Sequence, residues 1–259
     1  MMKWRWGRNP FILFLAAVVI AASSGIYYYR HAAADVNPDA LWQIVSQKCV
    51  PHQQQLGRPD PCREVNLEAG YTVLKDLEGP LQYLLIPVEK ITGIESPSLL
   101  NEKTPNFFYH AWQARQYLTE KAGAPVPDRA LALAINAPMA RTQNQLHIHI
   151  SCLRPDIRQQ LDDEAGSIGS AWQPLPAAVM GHSYLAKRIT AAGLAEQSPF
   201  IALAREVPGA AGNMGHFGLA LAQLPDGSFV LLANQRSLLH FDTASTEEIE
   251  DHSCAILHH

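Results

Sequence analysis

The chain has 259 residues, a formal net charge of −4 and four cysteines, and 47% of its residues are hydrophobic. No basic run follows residue 30, which argues against a nucleic-acid partner. The sequence also lacks G-x-S-x-G, a phosphate-binding Walker loop, H-E-x-x-H and C-x-x-C. The sequence therefore lacks the motifs that define serine hydrolases, P-loop nucleotide triphosphatases, zincins and zinc ribbons.

An uncharged stretch of 19 residues, 11–29, follows three basic residues, Lys3, Arg5 and Arg8. At 1.5 Å per residue a helix of this length covers about 28 Å, close to the thickness of the bilayer hydrocarbon. The basic residues before it predict a cytoplasmic amino terminus with the bulk of the chain outside. We therefore predict that residues 1–34 comprise the cytoplasmic terminus and one transmembrane anchor. A cleaved signal peptide, with its cleavage site at residues 32–34, is the alternative.

Four cysteines in an exported chain favour disulfides over thiol chemistry. Cys49 and Cys62 flank a segment that is rich in proline and glutamine and has little core of its own, so a local bridge between them is expected. Cys152 would then pair with Cys254. Four free buried thiols are the alternative.

The residues that follow predict two strands, a helix and a third strand. Residues 71–76 and 79–87 read as strands joined by a short turn, and the second of them ends at a proline. Residues 105–123 have apolar residues at helical spacing, with proline in the first turn and glycine at the exit. Residues 129–136 predict the third strand.

Two histidines stand at alternate positions of the next predicted strand, residues 142–151. Because side chains in a strand alternate between faces, Gln145, His147 and His149 are expected on one face, with the apolar residues between them filling the core. Zinc is one chemical interpretation of such a pair. A third ligand would have to come from His110, His182 or His216.

The last hundred residues predict a hairpin and a short helix. Residues 217–224 and 228–234 flank Pro225, Asp226 and Gly227, a strong turn signal. Residues 245–248 have the form of a capping box that opens a last short helix. There is no second H-x-H and no obvious internal repeat.

The order strand, strand, helix, strand, loop, histidine strand resembles that of the histidine-triad (HIT) nucleotide hydrolases and transferases. The three histidine positions of that family fall on Gln145, His147 and His149, so the first position departs from the pattern. The resemblance implies that His147 is the nucleophile and that His149 binds phosphate and leaving-group oxygens. It implies that Asn136 meets the nucleotide. Polar contacts to phosphate are implied for Thr142, Gln143 and Asn144.

Many HIT proteins complete their sheet by pairing two protomers, and this chain is about two such units long. The resemblance therefore implies an α+β fold with a HIT-like antiparallel sheet and helices, arranged as a single-chain pseudo-dimer. Residues 35–155 would form the catalytic half, and residues 156–259 would complete the sheet.

Six short phrases carry a narrower resemblance, to the bacterial CDP-diacylglycerol pyrophosphatase family, which extends from about Leu41 to Leu257. The phrases are residues 79–85, 104–108, 111–115, 141–144, 147–152 and 198–200. This resemblance implies hydrolysis of CDP-diacylglycerol to CMP and phosphatidate at the inner membrane, with the catalytic domain in the periplasm. The bilayer would then be a partner, because a lipid with two acyl chains leaves it only slowly. No obligate protein partner and no cofactor are expected.

The mechanism we expect is attack by neutral His147 on the phosphorus next to cytidine, which leaves CMP on the imidazole until water removes it. The donors to the phosphate oxygens would be His149, Gln145, Thr142, Gln143 and Asn144, and no metal is required. Arg154 and His182 are weaker candidates for the lipid-side phosphate. The alternatives are a His-ligated zinc hydrolase and a periplasmic lipid- or nucleotide-binding module that lost catalysis through Gln145.

Overall fold

A nine-stranded, fully antiparallel sheet dominates the computed structural model, which describes residues 37–258. Contacts divide the chain into two units, Met1–Pro38 and Asp39–His259, and the sheet belongs to the second. The spatial order is β1-β2-β3-β5-β4-β8-β9-β7-β6. The strands are β1 Glu64–Asn66, β2 Tyr71–Lys75, β3 Tyr83–Pro87, β4 Leu131–Ile135, β5 Ile148–Cys152, β6 Gln173–Pro174, β7 Tyr184–Ile189, β8 Phe217–Gln223 and β9 Phe229–Gln235.

Seven α-helices accompany this sheet in the described part of the chain. They are α1 Ala40–Ile44, α2 Val50–Leu56, α3 Phe107–Ala114, α4 Gln116–Ala122, α5 Pro155–Glu164, α6 Ala191–Glu196 and α7 Pro199–Glu206. A π-helical turn, Val45–Cys49, joins α1 to α2, and short 3-10 turns, including Leu238–His240 and Thr246–Ile249, lie in the loops.

Helices cover both faces of the sheet, so β4, the middle strand of the nine, is apolar on both sides. On one face Phe108 of α3 and Phe200 of α7 pack with Leu133 of β4. On the other face Leu161 of α5 packs with the small side chain of Ala132, while α1, α2 and the π turn cover β2 and β3. Burial on both faces removes the polar alternation of a half-exposed strand, and β4 accordingly reads Leu-Ala-Leu-Ala-Ile.

The two halves of the sheet repeat one connectivity. In the first half the chain runs from β3 through helices to β4 and then β5, and β5 lies between β3 and β4 in the sheet. In the second half it runs from β7 through helices to β8 and then β9, and β9 lies between β7 and β8. The two halves meet where β4 pairs with β8, at Leu133 opposite Leu221. Strands from before and after residue 155, the predicted boundary between the two halves, therefore belong to one continuous sheet of nine strands.

The predicted elements are present, with four corrections to their extent. The predicted helix 105–123 is two helices, because the chain breaks at Arg115, whose guanidinium donates to the Trp112 carbonyl oxygen at 2.7 Å. The histidine strand begins only at Ile148. The strand predicted to begin at residue 79 begins at Tyr83. The last short helix is a 3-10 turn, and the Ser245 side chain forms no capping bond, so the predicted capping box is wrong.

Both predicted disulfides are confirmed, Cys49–Cys62 and Cys152–Cys254. The first closes the segment containing α2, which has no buried residue, as its proline- and glutamine-rich composition indicated. The second joins β5 to the carboxyl-terminal segment.

None of the helices within residues 37–258 is both long and apolar enough to cross a membrane. The predicted anchor, residues 11–29, lies outside the described residues. The boundaries predicted at residues 34 and 155 stay predictions.

Candidate active site

A cavity of about 560 Å³ lies on the sheet face that α1 shares with α5. Its walls are α1, the turn after β2, the loop between β4 and β5, and the 3-10 turn Thr246–Ile249. Five predicted residues line it: Asn136, Thr142, Gln143, His147 and His149. Among the lining residues that the sequence did not single out are Asp76, Arg141 and Glu247.

His147 is held with one ring nitrogen occupied. Its Nδ1 lies 2.7 Å from the carbonyl oxygen of Gln145, so Nδ1 carries the proton and donates it, and Nε2 keeps its lone pair. Burial, reinforced by the neighbouring His149, lowers the pKa of His147 to about 4. The ring is therefore neutral at pH 7, the form in which an imidazole can act as a nucleophile.

His149 lies on β5, opposite Leu84 and Ala134 of the neighbouring strands. Its ring centroid is 5.0 Å from that of His147. The Nδ1 atom is 3.2 Å from Gln82 Nε2 and 3.2 Å from a carboxylate oxygen of Glu247, while Nε2 is buried with no partner among residues 37–258. Burial lowers the pKa of His149, so this ring is neutral as well.

Two partners on Nδ1 correspond to two tautomers of His149. With the proton on Nδ1, the ring donates to Glu247 and Nε2 is an acceptor. With the proton on Nε2, the Gln82 amide donates to Nδ1 and Nε2 can donate to a ligand. Nε2 of His149 can thus act as a hydrogen-bond acceptor or as a donor, and each tautomer has a partner for Nδ1 already in place.

The carboxylate of Glu247 contacts three side chains: His149, Asn136 and His252. The Asn136 amide donates to its carboxylate at 2.9 Å, and the Glu247 N–H donates back to Asn136 Oδ1 at 3.1 Å. His252 Nε2 lies 3.2 Å from the same carboxylate. Thr246 fixes the turn, because its buried hydroxyl donates to the Ile135 carbonyl oxygen at 2.9 Å. Asn136 therefore lines the cavity, but its amide is already paired with Glu247.

Arg141 places a fixed cation in the cavity wall. Its guanidinium donates two hydrogen bonds to Glu95, at 2.7 and 2.5 Å, and its side chain is only 6% exposed. Gly93 permits this arrangement, since a Cβ there would lie 2.1 Å from Arg141 Nη1. The sequence offered one signal for Arg141, its position at the start of the phrase 141–144.

Gln145 is buried, but its side chain is not part of the cavity wall. Its amide donates to the carbonyl oxygens of Pro87, at 3.0 Å, and of Glu89, at 2.8 Å. Alternation does not extend to Gln145, because the strand begins at Ile148. What this residue supplies to the site is its own carbonyl oxygen, which orients His147.

Three other predicted residues lie away from the cavity wall. Asn144 is exposed and is not among the lining residues. Arg154 pairs with Asp156 at the start of α5. His182 pairs with Glu248, at 2.8 Å.

A metal could be held by a different set from the one the sequence indicated. His149, Glu247 and Glu250 offer ligand atoms that all lie within 4.8 Å of one another. None of the three histidines considered as a third ligand joins them: His182 pairs with Glu248, His216 contacts Arg236, and His110 stacks on Tyr71. Glu250 is fully buried, neither carboxylate oxygen has a hydrogen-bond partner within residues 37–258, and burial raises its pKa well above the usual range.

Comparison with known families identifies a hydrolase that cleaves a phosphoric anhydride. The match is to the CDP-diacylglycerol pyrophosphatase family, it covers residues 36–258, and the chain therefore belongs to this family. The resemblance stated from the sequence is confirmed. The protein is an enzyme that hydrolyses the pyrophosphate bond of CDP-diacylglycerol, which rejects the non-catalytic binding module.

Proposed function

We propose that hydrolysis proceeds through a covalent intermediate in which CMP is bound to Nε2 of His147. The observation that carries the proposal is the hydrogen bond from Nδ1 of this ring to the Gln145 carbonyl oxygen. It fixes the tautomer, leaves the Nε2 lone pair available, and holds the ring in a cavity wall. The lowered pKa keeps that lone pair free of a proton at pH 7.

In the first step Nε2 attacks the phosphorus next to cytidine, on the side opposite the bridging oxygen. An N–P bond forms, the P–O bond to the lipid-side phosphate breaks, and phosphatidate leaves with the bridging oxygen. In the second step water attacks the same phosphorus, the N–P bond breaks, and CMP leaves with the oxygen of that water. Covalent catalysis divides one difficult displacement into two easier ones.

The cavity wall supplies the charge that such a transition state needs. Arg141 is a fixed cation beside the nucleophile, near enough for its charge to lower the pKa of His147. Thr142 and Gln143 offer polar groups on the same loop, and His149 can donate from Nε2 in the tautomer that Gln82 favours. Negative charge on the phosphate oxygens would be stabilised by these groups without reorganisation.

A zinc hydrolase remains the second candidate, on a specific observation. His149, Glu247 and Glu250 approach one another closely enough to hold a metal, and three protein ligands suffice for a catalytic zinc. These three side chains would hold the metal, which would supply a Lewis acid that activates water, and no CMP–histidine would form.

Trapping the intermediate separates the two mechanisms. Purified full-length protein is mixed with CDP-diacylglycerol labelled in the cytidine, quenched in alkali, and digested for mass spectrometry. We expect the mass of CMP on the peptide containing His147, because phosphoramidates survive alkali and break in acid. Turnover with no adduct at any quench time would contradict the covalent mechanism.

Two variants control this experiment. His147→Ala should give neither adduct nor turnover, whereas His149→Ala should still form the adduct, with a rate lower by on the order of 10²–10³ because one stabilising donor is lost. Gln113→Ala is a matched substitution of a helix residue outside the cavity wall and should behave as wild type.

The proposal includes the architecture behind the site. We take the repeated connectivity of β3 to β5 and β7 to β9, joined at β4 and β8, as support for a HIT-like pseudo-dimer within one chain. In that arrangement the first half carries His147 and His149, and the second half supplies Glu247 from the turn after β9. One structural superposition tests it: rotation of 35–155 onto 156–259 should align these three strands and their helix.

The proposal also places the domain in the periplasm, held by residues 11–29 at the inner membrane. Two disulfides support an exported compartment, because cytosolic thiols are kept reduced. Protease added to spheroplasts should cut the chain, and the protein should resist carbonate extraction from membranes. Protection from protease in intact spheroplasts would refute the orientation.

A further inference from the structure

Exposed apolar side chains collect at one end of the sheet. The register defines this end, here called the His147 end: β3, β4 and β9 finish there, and β2, β5, β7 and β8 begin there. Six of the eight large hydrophobic residues that are exposed in residues 37–258 lie in loops at this end. They are Leu67, Met139, Met180, Leu238, Leu239 and Phe241.

The loop that follows β9 carries the most exposed of these side chains. Leu238 is 64%, Leu239 90% and Phe241 93% exposed. Phe241 has a φ of 55°, in the left-handed region that an aromatic residue rarely adopts. A loop that holds three large apolar side chains in water, one of them on an unfavourable backbone, carries a cost that a partner would offset.

The base of this loop is firmly built. Ser237 and Asp242 exchange backbone hydrogen bonds of 3.0 and 2.9 Å. The buried carboxylate of Asp242 accepts from the Asn234 amide and from the Ala244 N–H, both at 2.8 Å. The loop therefore presents an apolar tip from a fixed base.

The same end contains one wall of the cavity and the start of the described domain. Arg236, at the loop base, contacts the sulfur of Met139 at 3.1 Å, and the cavity-lining residues 140–143 follow Met139 directly. Asp39 pairs with Lys90 just after β3, and the Leu41 N–H donates to Gln143 Oε1 at 3.0 Å. Nine residues, spanning at most about 30 Å, separate Asp39 from the predicted anchor.

We propose that the tip formed by Leu238, Leu239 and Phe241 inserts into the bilayer surface and brings the cavity wall formed by residues 140–143 close to the membrane. The lipid substrate and the short tether argue for a bilayer as the partner. Arg236 at the base suits the negative surface of anionic phospholipids. The inference rests on the proposed attachment of the domain to the membrane.

The first experiment compares two presentations of the substrate. Full-length Leu239→Ser/Phe241→Asn is assayed on long-chain CDP-diacylglycerol in phosphatidylethanolamine–phosphatidylglycerol vesicles and on a short-chain, monomeric analogue. Asparagine suits the left-handed backbone at 241, and both positions are exposed, so folding should be preserved. We expect kcat/KM on vesicles to fall at least tenfold and kcat/KM on the analogue to remain unchanged.

A matched control and an independent readout complete the test. Leu56→Ser removes another exposed leucine, at the end of α2, and should change neither rate. Phe241→Trp in vesicles of brominated lipid should add a strongly quenched tryptophan signal, which requires no activity. Equal losses on both substrates, no loss on either, or an unquenched tryptophan at 241 would overturn the docking. Loss of activity in wild type with quenching retained would count against the proposed function alone.

Discussion

Removing the bridge between Cys152 and Cys254 should destabilise the protein more than removing the bridge between Cys49 and Cys62. The two bridges close segments with sequence separations of 102 and 13 residues. In the chain-entropy model such loops correspond to about 4.7 and about 3 kcal/mol of unfolding free energy. We therefore expect the double alanine variant of the long loop to lose about 1.7 kcal/mol more than the double alanine variant of the short loop.

The comparison is matched because all four cysteine residues are buried, at 5% exposure or less. Each double variant deletes two buried sulfurs, so the cavity terms largely cancel and loop length is the main difference. For a domain of this size, 1 kcal/mol shifts the melting temperature by roughly 2–4 °C. From the chain-entropy contribution alone, the long-loop variant should melt about 9–19 °C below wild type, and the short-loop variant about 6–12 °C below.

Thermal unfolding followed by circular dichroism, with a urea titration as an equilibrium check, measures both losses in non-reducing buffer. The long-loop variant should also lose activity several degrees below its melting temperature. Cys152 ends β5, three residues after His149, and its carbonyl oxygen accepts from the Asp251 N–H at 2.8 Å. The bridge thus holds the segment of Glu247 against the histidine strand. Equal losses, or a larger loss from the short loop, would refute the reasoning.

Four further predictions concern the site. The acid limb of kcat/KM should fall near pH 4 rather than 6.5, since the free enzyme loses its nucleophile only when His147 protonates, and a limb above pH 6 would contradict this. Gln145→His should destabilise by about 1–3 kcal/mol in urea with kcat nearly unchanged, because one imidazole N–H replaces two amide donors. Glu250→Gln should raise the melting temperature at pH 8 but not at pH 4: a raised carboxyl pKa means that stability is lost as pH rises above the unfolded value. EDTA should leave activity unchanged and elemental analysis should find no stoichiometric zinc, whereas zinc-restored activity would favour the metal mechanism.

Local patterns predicted the elements that depend on neighbours in sequence. The hairpin of β8 and β9 follows from two apolar runs around a turn whose Gly227 has a φ of 81°, a conformation that glycine adopts at no cost. The strand β4 and the helices after β3 follow from apolar spacing in the same way. The break at Arg115 does not follow from apolar spacing. Its guanidinium is held by the Asp128 carboxylate at 2.7 Å, a contact that spacing within the helix does not indicate.

The residues of the candidate site also fall into two groups: those that the local sequence indicates and those that only the tertiary fold brings together. His147 and His149 could be found because they stand at alternate positions at the start of β5, and both side chains line the cavity. Glu247 could not, since it reaches Asn136 across 111 residues and only the antiparallel meeting of β4 with β8 brings its turn to the site. Arg141 depends equally on tertiary packing, through Glu95 and the space left by Gly93.

The glutamine at position 145 has a physical explanation, although strand alternation had placed its side chain on the same face as the two histidines. The residue precedes β5, so its side chain is free to turn from the cavity and to donate both amide hydrogens to the carbonyl oxygens of Pro87 and Glu89. A neutral imidazole offers one N–H and would leave one of these buried carbonyls unpaired. The group that serves the nucleophile is the main-chain carbonyl of residue 145, which any side chain leaves in place. A departure from the histidine pattern at this position therefore alters how the loop is held and leaves the orientation of His147 to the backbone.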